Sequence, residues 1–515
     1  MEEKGLVRSA SEAGLGTLLS RILGYVRDMV IAVKFGAGAW ADAFYVAFRI
    51  PNLLRNLLGE GTLGTSFIPV FSEYMVKREE DAWEITKIAF SLLLVVLSCL
   101  TLLGISITPL IVRIIAPGFS SSPEKFALTV TLTRLMFPFL LFISLAALAT
   151  ALLNSMRSFF IPAFAPAMLS AGEIFSVLVI VPFMGGRIEG LAIGVLLGGI
   201  GQFMAQVPQM LKLWPKAAGY FKLTLANPGV RKIFRLMMPA VLGAGVYQIN
   251  AFVDTICASF LVQGTPTALY YANRLVQLPL AIFGTSIATA ALPRMSECAA
   301  RNDTDGLLNT LASGFRMIFF LLIPSMAGFM VLGKPIISVL FRYGKFDSFA
   351  VDLTYSALLF YSLGLVSYAG VKVAASAFYS MQDMKTPVKV SVAAMILNIE
   401  LNLILMRYLD IGGLALATAI SSSINVVLLL VFLKRKLGRL FTGEMFVSLW
   451  KMCLTGAAVA AVCAGALLWR VNPYVKVCSG IILSVVVFFA LSALLRIEET
   501  GQVMRIVFRK KSRPV

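Results

Sequence analysis

The chain has 515 residues, 59% hydrophobic and only 14% charged, with a mean hydropathy of +0.87 and a formal charge of +19. Soluble domains run at roughly 25% charged residues, so this composition excludes a soluble enzyme. It also excludes a nucleic-acid-binding domain, because there is no polar domain to present the positive charge as a surface. Histidine is absent, which removes imidazole proton relays, haem ligation and most transition-metal sites.

A membrane-crossing helix needs about 20 apolar residues to cover roughly 30 Å of hydrocarbon. Fourteen such runs are predicted in chain order, at roughly 12–34, 40–74, 86–115, 126–155, 160–184, 189–212, 234–262, 266–296, 308–341, 348–379, 387–407, 412–434, 446–469 and 473–495. Strand-sized alternation is not visible, which argues against a barrel. The segment Met1 to Ser11 carries acids and bases with no cleavable signal pattern, so the first span is expected to be retained. Bases collect in alternate loops, at Lys212, Lys216 and Lys222, at Arg231, Lys232 and Arg235, at Lys434, Arg435, Lys436 and Arg439, and at Arg509, Lys510, Lys511 and Arg513. By the positive-inside rule both termini are cytoplasmic, which requires an even number of spans. The six cysteines, Cys99, Cys257, Cys298, Cys453, Cys463 and Cys478, have no C-x-x-C spacing and read as small buried hydrophobes.

The chain copies itself once. Leu153-Asn-Ser155-Met156 before Pro162 matches Phe378-Tyr-Ser380-Met381 before Pro387 at an offset of 225. Phe44-Tyr-Val-Ala-Phe-Arg49 matches Leu269-Tyr-Tyr-Ala-Asn-Arg274 at the same offset. Pro69-Val-Phe-Ser72-Glu73 and Pro293-Arg-Met-Ser296-Glu297, then Gly190-Leu-Ala192 and Gly413-Leu-Ala415, follow at 224 and 223. Matches in order at a near-constant offset indicate duplication of a six-span unit. The fold expected is an all-α polytopic membrane protein with about fourteen transmembrane helices. Two six-helix lobes, 1–222 and 223–440, would be related by a pseudo-two-fold axis along the membrane normal. An appended pair, spans 13 and 14 with a basic tail, occupies 441–515. This is the layout of an alternating-access transporter, with the substrate between the lobes.

Charge inside the first two spans is the feature to explain. Arg21, Arg27, Arg49 and Arg55 lie there with Asp28, Asp42 and Glu60, and Arg274 adds a cation from the repeat-equivalent span 8. Each arginine costs about 2.5–3.5 kcal/mol at the bilayer centre on insertion scales. Arg21 and Arg27 flank Gly24, and Arg49 and Arg55 flank Pro51. Six residues turn a helix by about 600°, so each pair points about 120° apart unless the helix bends. Asp28 and Asp42 each lie seven residues from an arginine and so share a face with it. Guanidinium suits phosphate because its planar fork donates two parallel hydrogen bonds and stays charged. Internal ion pairs or headgroup-level anchors are the competing explanation, and the excess of bases favours an anion site.

A second cluster falls in the other lobe. Asp254 sits in span 7, Asn398 and Asn402 lie one turn apart in span 11, and Thr418 lies in span 12. Such oxygen ligands suit a hard cation such as sodium, the one carboxylate could instead take a proton, and helix-packing hydrogen bonds among Asn and Thr are the competing explanation, which is favoured. Glu173, at the repeat position of Asn398, is a lone acid without an assigned role. No phosphate loop, G-x-S-x-G or metal signature is present, so transport is expected to draw on gradients or membrane potential, with no ATP.

At these residues a family is recognisable. Ser20-Arg-Ile-Leu-Gly24-Tyr-Val-Arg27-Asp28, Phe35-Gly-Ala-Gly38, Asp42-Ala-Phe44, Pro51-Asn-Leu-Leu-Arg55, the Glu60-Gly61 step and Phe67-x-Pro69 resemble the MurJ (MviN) family of bacterial lipid II flippases. The resemblance implies the fold of the multidrug/oligosaccharidyl-lipid/polysaccharide exporter superfamily. It also implies a cationic central cavity for the pyrophosphate and sugar head of lipid II. Family arginines required for function fall on Arg21, Arg27, Arg55 and Arg274, with the accompanying acid on Asp42. With Arg49 and Glu60 from the charge reading, these are the candidate substrate-binding residues. Spans 13 and 14 would hold the undecaprenyl tail. Some relatives bind sodium at positions resembling Asp254, Asn398, Asn402, Leu414 (through its carbonyl) and Thr418. Where they have an acid, this chain has Asn402.

The expected protein is a monomeric lipid II flippase of the bacterial inner membrane, not an enzyme. Its partners are lipid II, membrane lipids and cell-wall synthesis proteins, with no nucleic acid, and its one candidate cofactor is sodium. A flippase for another lipid-linked glycan would share the cavity. A cation-coupled drug antiporter of the same fold would need acids rather than arginines.

Overall fold

The computed structural model describes residues 2–58, 62–214, 221–438, 440, 443–469 and 471–507. All regular structure among these residues is helical. The chain divides into two compact units, Met1–Thr267 with Tyr343–Asp347, and Ala268–Arg342 with Ser348–Val515.

In the first unit the helices are α1 Glu2–Phe35, α2 Ala39–Leu58, α3 Thr62–Lys77, α4 Glu79–Ile115, α5 Pro123–Met136, α6 Phe139–Ser155, α7 Phe160–Phe164, α8 Ala167–Phe175, α9 Val181–Phe183, α10 Glu189–Met204, α11 Val207–Leu213 and α12 Pro228–Ser259. The chain continues with α13 Thr265–Pro279, α14 Ser286–Ala300, α15 Thr304–Phe341, α16 Ser348–Leu363, α17 Leu365–Ser380, α18 Lys385–Leu437, α19 Gly443–Leu468, α20 Pro473–Leu494 and α21 Glu498–Val507. Two π-helical segments, Ser176–Ile180 and Leu280–Thr285, interrupt the apolar runs.

Among the described residues, eight helical segments are long and apolar enough to cross a membrane, and nine if α16 and α17, bent by 42°, count as one span. One of the eight is α18, whose 53 residues would run about 80 Å if straight. It is not straight. Asp410 leaves helical geometry at φ 46° and ψ −126°, and Lys436 near the end of α18 donates to Asp383, just before its start, at 3.1 Å. Residues 53 apart meet only if the two halves run antiparallel. The Thr386 backbone amide, with help from Lys436 and the Thr386 hydroxyl, holds the Asp383 carboxyl down at about 2, against the burial that raises it. The segments 12–34, 40–74, 160–184 and 234–262 are not among those eight or nine. Charge in α1 and α2, and the short helical pieces of 160–184, account for three of the four.

Two helix ends at the offset of 225 share one local geometry. Arg157 and Gln382, related by the offset of 225, both have φ +59°. Each follows a helix end of the same design: Ser158 N–H donates to Leu153 O at 2.9 Å, and Asp383 N–H donates to Phe378 O at 2.9 Å. This is the Schellman end, in which a left-handed residue satisfies the last carbonyls. A side chain there costs roughly 1–2 kcal/mol that glycine avoids. Gln382→Gly should therefore stabilise the protein by about 1 kcal/mol. A melting temperature in detergent equal to or below that of the parent would refute this.

Small residues set the packing inside the first unit, as expected where lipid removes the hydrophobic drive between helices. Gly190, Gly194 and Gly198 recur every fourth residue on α10 and face, in turn, Val181 of α9, the π segment with α8, and α8. A Cβ on Gly198 would stand 2.7 Å from the Leu169 Cα. Phe67, Phe71, Ile85, Ile88, Leu152 and Trp214 form one buried core of this unit. In the second unit Phe320, Met452, Val459 and Phe488 join α15, α19 and α20.

Candidate functional site

The turn between α1 and α2 places the charged residues. Gly36 ends α1 at φ +66°, and a Cβ there would collide with the Lys345 backbone. Lys345 N–H donates to Val33 O at 2.9 Å. Glycine is thus required both by the left-handed turn and by the passing strand of backbone.

On α1, Arg21 is exposed while Arg27 is 8% exposed, the divergence expected of six residues on an unbroken helix. Arg27 Nε and Nη2 both donate to Asp28 Oδ1, at 2.9 and 2.7 Å. Its Nε also lies 3.6 Å from Glu173 Oε2 on α8. Asp28 is fully buried and Glu173 is 2% exposed. Burying a charge is expensive unless it is paired and hydrogen-bonded, and here one guanidinium serves two carboxylates. Glu173 thereby gains a role that spacing alone did not supply.

On α2, Asp42 is fully buried. It accepts from Lys125 Nζ at 2.9 Å, from the amides of Gly264 and Thr267 at 2.8 and 3.2 Å, and from the Thr267 hydroxyl at 2.7 Å. Thr267 is its own counterpart at the repeat offset of 225. Lys125, in the first turn of α5, lies 4.0 Å from the centre of the Phe119 ring. The seven-residue spacing thus does not become pairing: Asp28 takes the adjacent Arg27, and Asp42 takes Lys125 from a neighbouring helix. Two helical turns separate residues by about 10.5 Å along the axis, farther than a salt bridge reaches.

What remains uncommitted is narrower than the sequence implied. Among the described residues, neither Arg21 nor Arg49 makes an ion pair or hydrogen bond. Arg49 and Arg55 are half-buried on either side of Pro51, which sits inside a continuous α2. Arg274 is half-buried on α13 in the second unit. Glu60 lies outside the described residues. A separate cavity of about 630 Å³ in the first unit is lined by Gly64, Thr65, Ala147, Thr150, Asn154 and Gln202, among others, with no charged side chain. It cannot supply the charge an anion needs.

The other cluster is brought together only in part. Asn398 and Asn402 are fully buried in α18. Asn402 Nδ2 donates to Asn398 Oδ1 at 3.0 Å, and Asn398 Nδ2 donates to Thr418 Oγ1 and Ser421 Oγ at 3.4 and 3.3 Å. Thr418 donates to the Leu414 carbonyl at 3.1 Å. Asp254 is half-buried on α12, in the first unit. As arranged, Asn398 presents its oxygen to Asn402 and its amide N–H groups to Thr418 and Ser421, and among the described residues the buried Asn402 Oδ1 accepts no hydrogen bond. A cation takes oxygen ligands, which here would be the side-chain oxygens of Asn398, Asn402 and Thr418 and the Leu414 carbonyl. Among the described residues no group of three or more Cys, Asp or Glu is placed to hold a metal ion.

Lys125 and Lys372 escaped the sequence reading. Lys372 is the one charged residue of α17, and a lone base in an apolar run was the signal available.

Comparison with known proteins agrees over most of the chain. The family model described as lipid II flippase MurJ matches residues 31–487. A Vibrio cholerae protein named "Probable lipid II flippase MurJ" is 38% identical over 480 residues, covering 91% of this chain and 90% of that protein. A Burkholderia cenocepacia "Lipid II flippase MurJ" is 36% identical over 423 residues, covering 82% of each. Among solved structures, one described as "Lipid II flippase MurJ, inward closed conformation" superposes with a TM-score of 0.80 at 27% identity, covering 94% of this chain and 98% of that one. An inward-facing multidrug transporter of the MATE family reaches 0.69 at 14% identity, covering 80% of this chain and 94% of that one, a likeness of fold alone.

Proposed function

The chain belongs to the MurJ family of lipid II flippases, and from that premise we propose that it carries undecaprenyl-pyrophosphate-linked peptidoglycan precursor from the cytoplasmic to the periplasmic leaflet. It is a multi-pass membrane transporter rather than an enzyme. The observation that carries the reading is the match across residues 31–487. It is supported by two arginines of the first unit, Arg21 and Arg49, which no carboxylate neutralises among the described residues.

In the proposed cycle, Arg21 and Arg49, with Arg55 and Arg274, receive the pyrophosphate from the cytoplasmic side. Guanidinium groups hold it by charge-assisted hydrogen bonds, which last only while water is excluded. Arg27 and Asp42 act differently, as buried struts that fix α1 and α2 in place. Alternating access then exposes the headgroup to the periplasm. With both termini cytoplasmic, an inside-negative potential favours outward movement of anionic charge by about 2.3 kcal/mol per charge per 100 mV.

Arg21→Ala and Arg49→Ala should each lower transport at least about tenfold without loss of folded protein, the worth of one hydrogen bond to a charged group. The decisive measurement is the accessibility of lipid II in cells depleted of the protein. Lipid II is expected to accumulate on the cytoplasmic face; an unchanged distribution between leaflets would overturn the reading.

A further inference from the structure

We propose that Lys372 is an anion-binding residue of the second unit, holding a phosphate or carboxylate group of the transported precursor, an inference that rests on the transport reading above. Lys372 is the one charged residue of α17. Its Nζ donates to Thr285 Oγ1 at 2.7 Å, and among the described residues that hydroxyl is its polar partner. Thr285 closes the π segment within the 36-residue candidate span Thr265–Ala300. At 1.5 Å per residue, at least about 22 Å of helix separates it from either end. The ammonium that touches it therefore lies beside the middle of a candidate span.

A hydroxyl contributes no charge and takes one of the three donors of an ammonium. Two donors remain, beside a candidate span, where an ionisable group is rare unless it has a function. Other lysines of this chain are neutralised: Lys125 by Asp42, Lys436 by Asp383, and Lys334 by Asp352. The backbone is built to bring Lys372 to Thr285. Gly284 lies against Ala369, one turn along α17 from Lys372, and a Cβ on Gly284 would stand 2.8 Å from the Ala369 Cβ. Thr285 turns its own proton back to Leu280 O at 3.4 Å within the π turn, which leaves its oxygen to accept from the lysine. Such π segments occur frequently at functional sites.

At the offset of 225, Lys372 corresponds to Ala147, which lines the uncharged cavity of the first unit. The second unit has a cation where the first has a methyl group. A half-buried cation with open donors recruits an anion, and the transported headgroup supplies phosphate and carboxylate. An anionic phospholipid would supply the same chemistry, so the test separates the two sources.

Purified full-length protein would be titrated with lipid II and, separately, with vesicles of phosphatidylglycerol and phosphatidylethanolamine, as parent, Lys372→Gln and Lys372→Arg. Glutamine keeps a donor for Thr285 without the charge, and arginine keeps the charge. Lys372→Gln should weaken lipid II binding at least about tenfold, the worth of one charge-assisted contact, while Lys372→Arg stays within about threefold. All three should melt alike. If Lys372→Gln binds lipid II as the parent does, the inference fails and the transport reading stands. If the parent binds no lipid II, the transport reading fails, and the anion site is judged on the vesicles alone. A charge-dependent loss of phosphatidylglycerol binding then supports it, and no loss overturns it.

Discussion

Replacing Asp42 with alanine should destabilise the protein by about 3–5 kcal/mol, the range for breaking a buried ion pair by removing one partner. The alanine strands the Lys125 ammonium, whose side chain is 13% exposed, together with the amides of Gly264 and Thr267 and the Thr267 hydroxyl. Removing the second charge as well should reverse much of the loss, because Asp42→Ala with Lys125→Met leaves no uncompensated ion. Thermal unfolding in detergent measures both. If transport fails in the single variant and returns with stability in the double one, Asp42 acts by holding the first unit together rather than by touching substrate. An Asp42→Ala protein that melts with the parent would remove this account.

Arg27→Ala should be of similar size, about 3–5 kcal/mol, for the same reason. It leaves Asp28 and Glu173 buried with the guanidinium between them gone. Lysine should rescue only in part, since a point charge cannot reproduce the Nε and Nη2 donors that meet Asp28. Adding Asp28→Asn and Glu173→Gln to Arg27→Ala should restore most of the melting temperature. A triple variant no more stable than Arg27→Ala would mean that the network is not what anchors α1 to α8. Loss of transport in Arg27→Ala is accordingly no evidence by itself of a substrate contact. Arg21 and Arg49 are the cleaner probes, being uncommitted.

The distinction between strut and ligand was not legible in the sequence. A base and an acid seven residues apart share a face in any straight helix, and that periodicity predicts nothing about which helix packs beside them. Asp42 meets Lys125 because α5 lies against α2, and Asp28 meets Arg27 because the carboxylate turns to the nearer guanidinium. Glu173 was visible only as an acid out of place; its partner is on α1, some 146 residues earlier. The asparagine pair in α18 shows the same limit from the other side. Its one-turn spacing was apparent, yet amide groups can donate as well as accept, and the direction of those hydrogen bonds depends on Thr418 and Ser421.

The sequence by itself determined the environment, the helical class, the duplication and the family. These depend on quantities summed over many residues: apolar runs long enough to span lipid, offsets held near 225, and a specific block of motifs between Ser20 and Pro69. Only the tertiary structure decided which charges are neutralised. Pairing depends on contacts of a few ångströms between helices remote in sequence. It therefore took the folded units to identify Arg27 and Lys125 as internal struts, and to leave Arg21, Arg49 and Lys372 as charges without a carboxylate among the described residues.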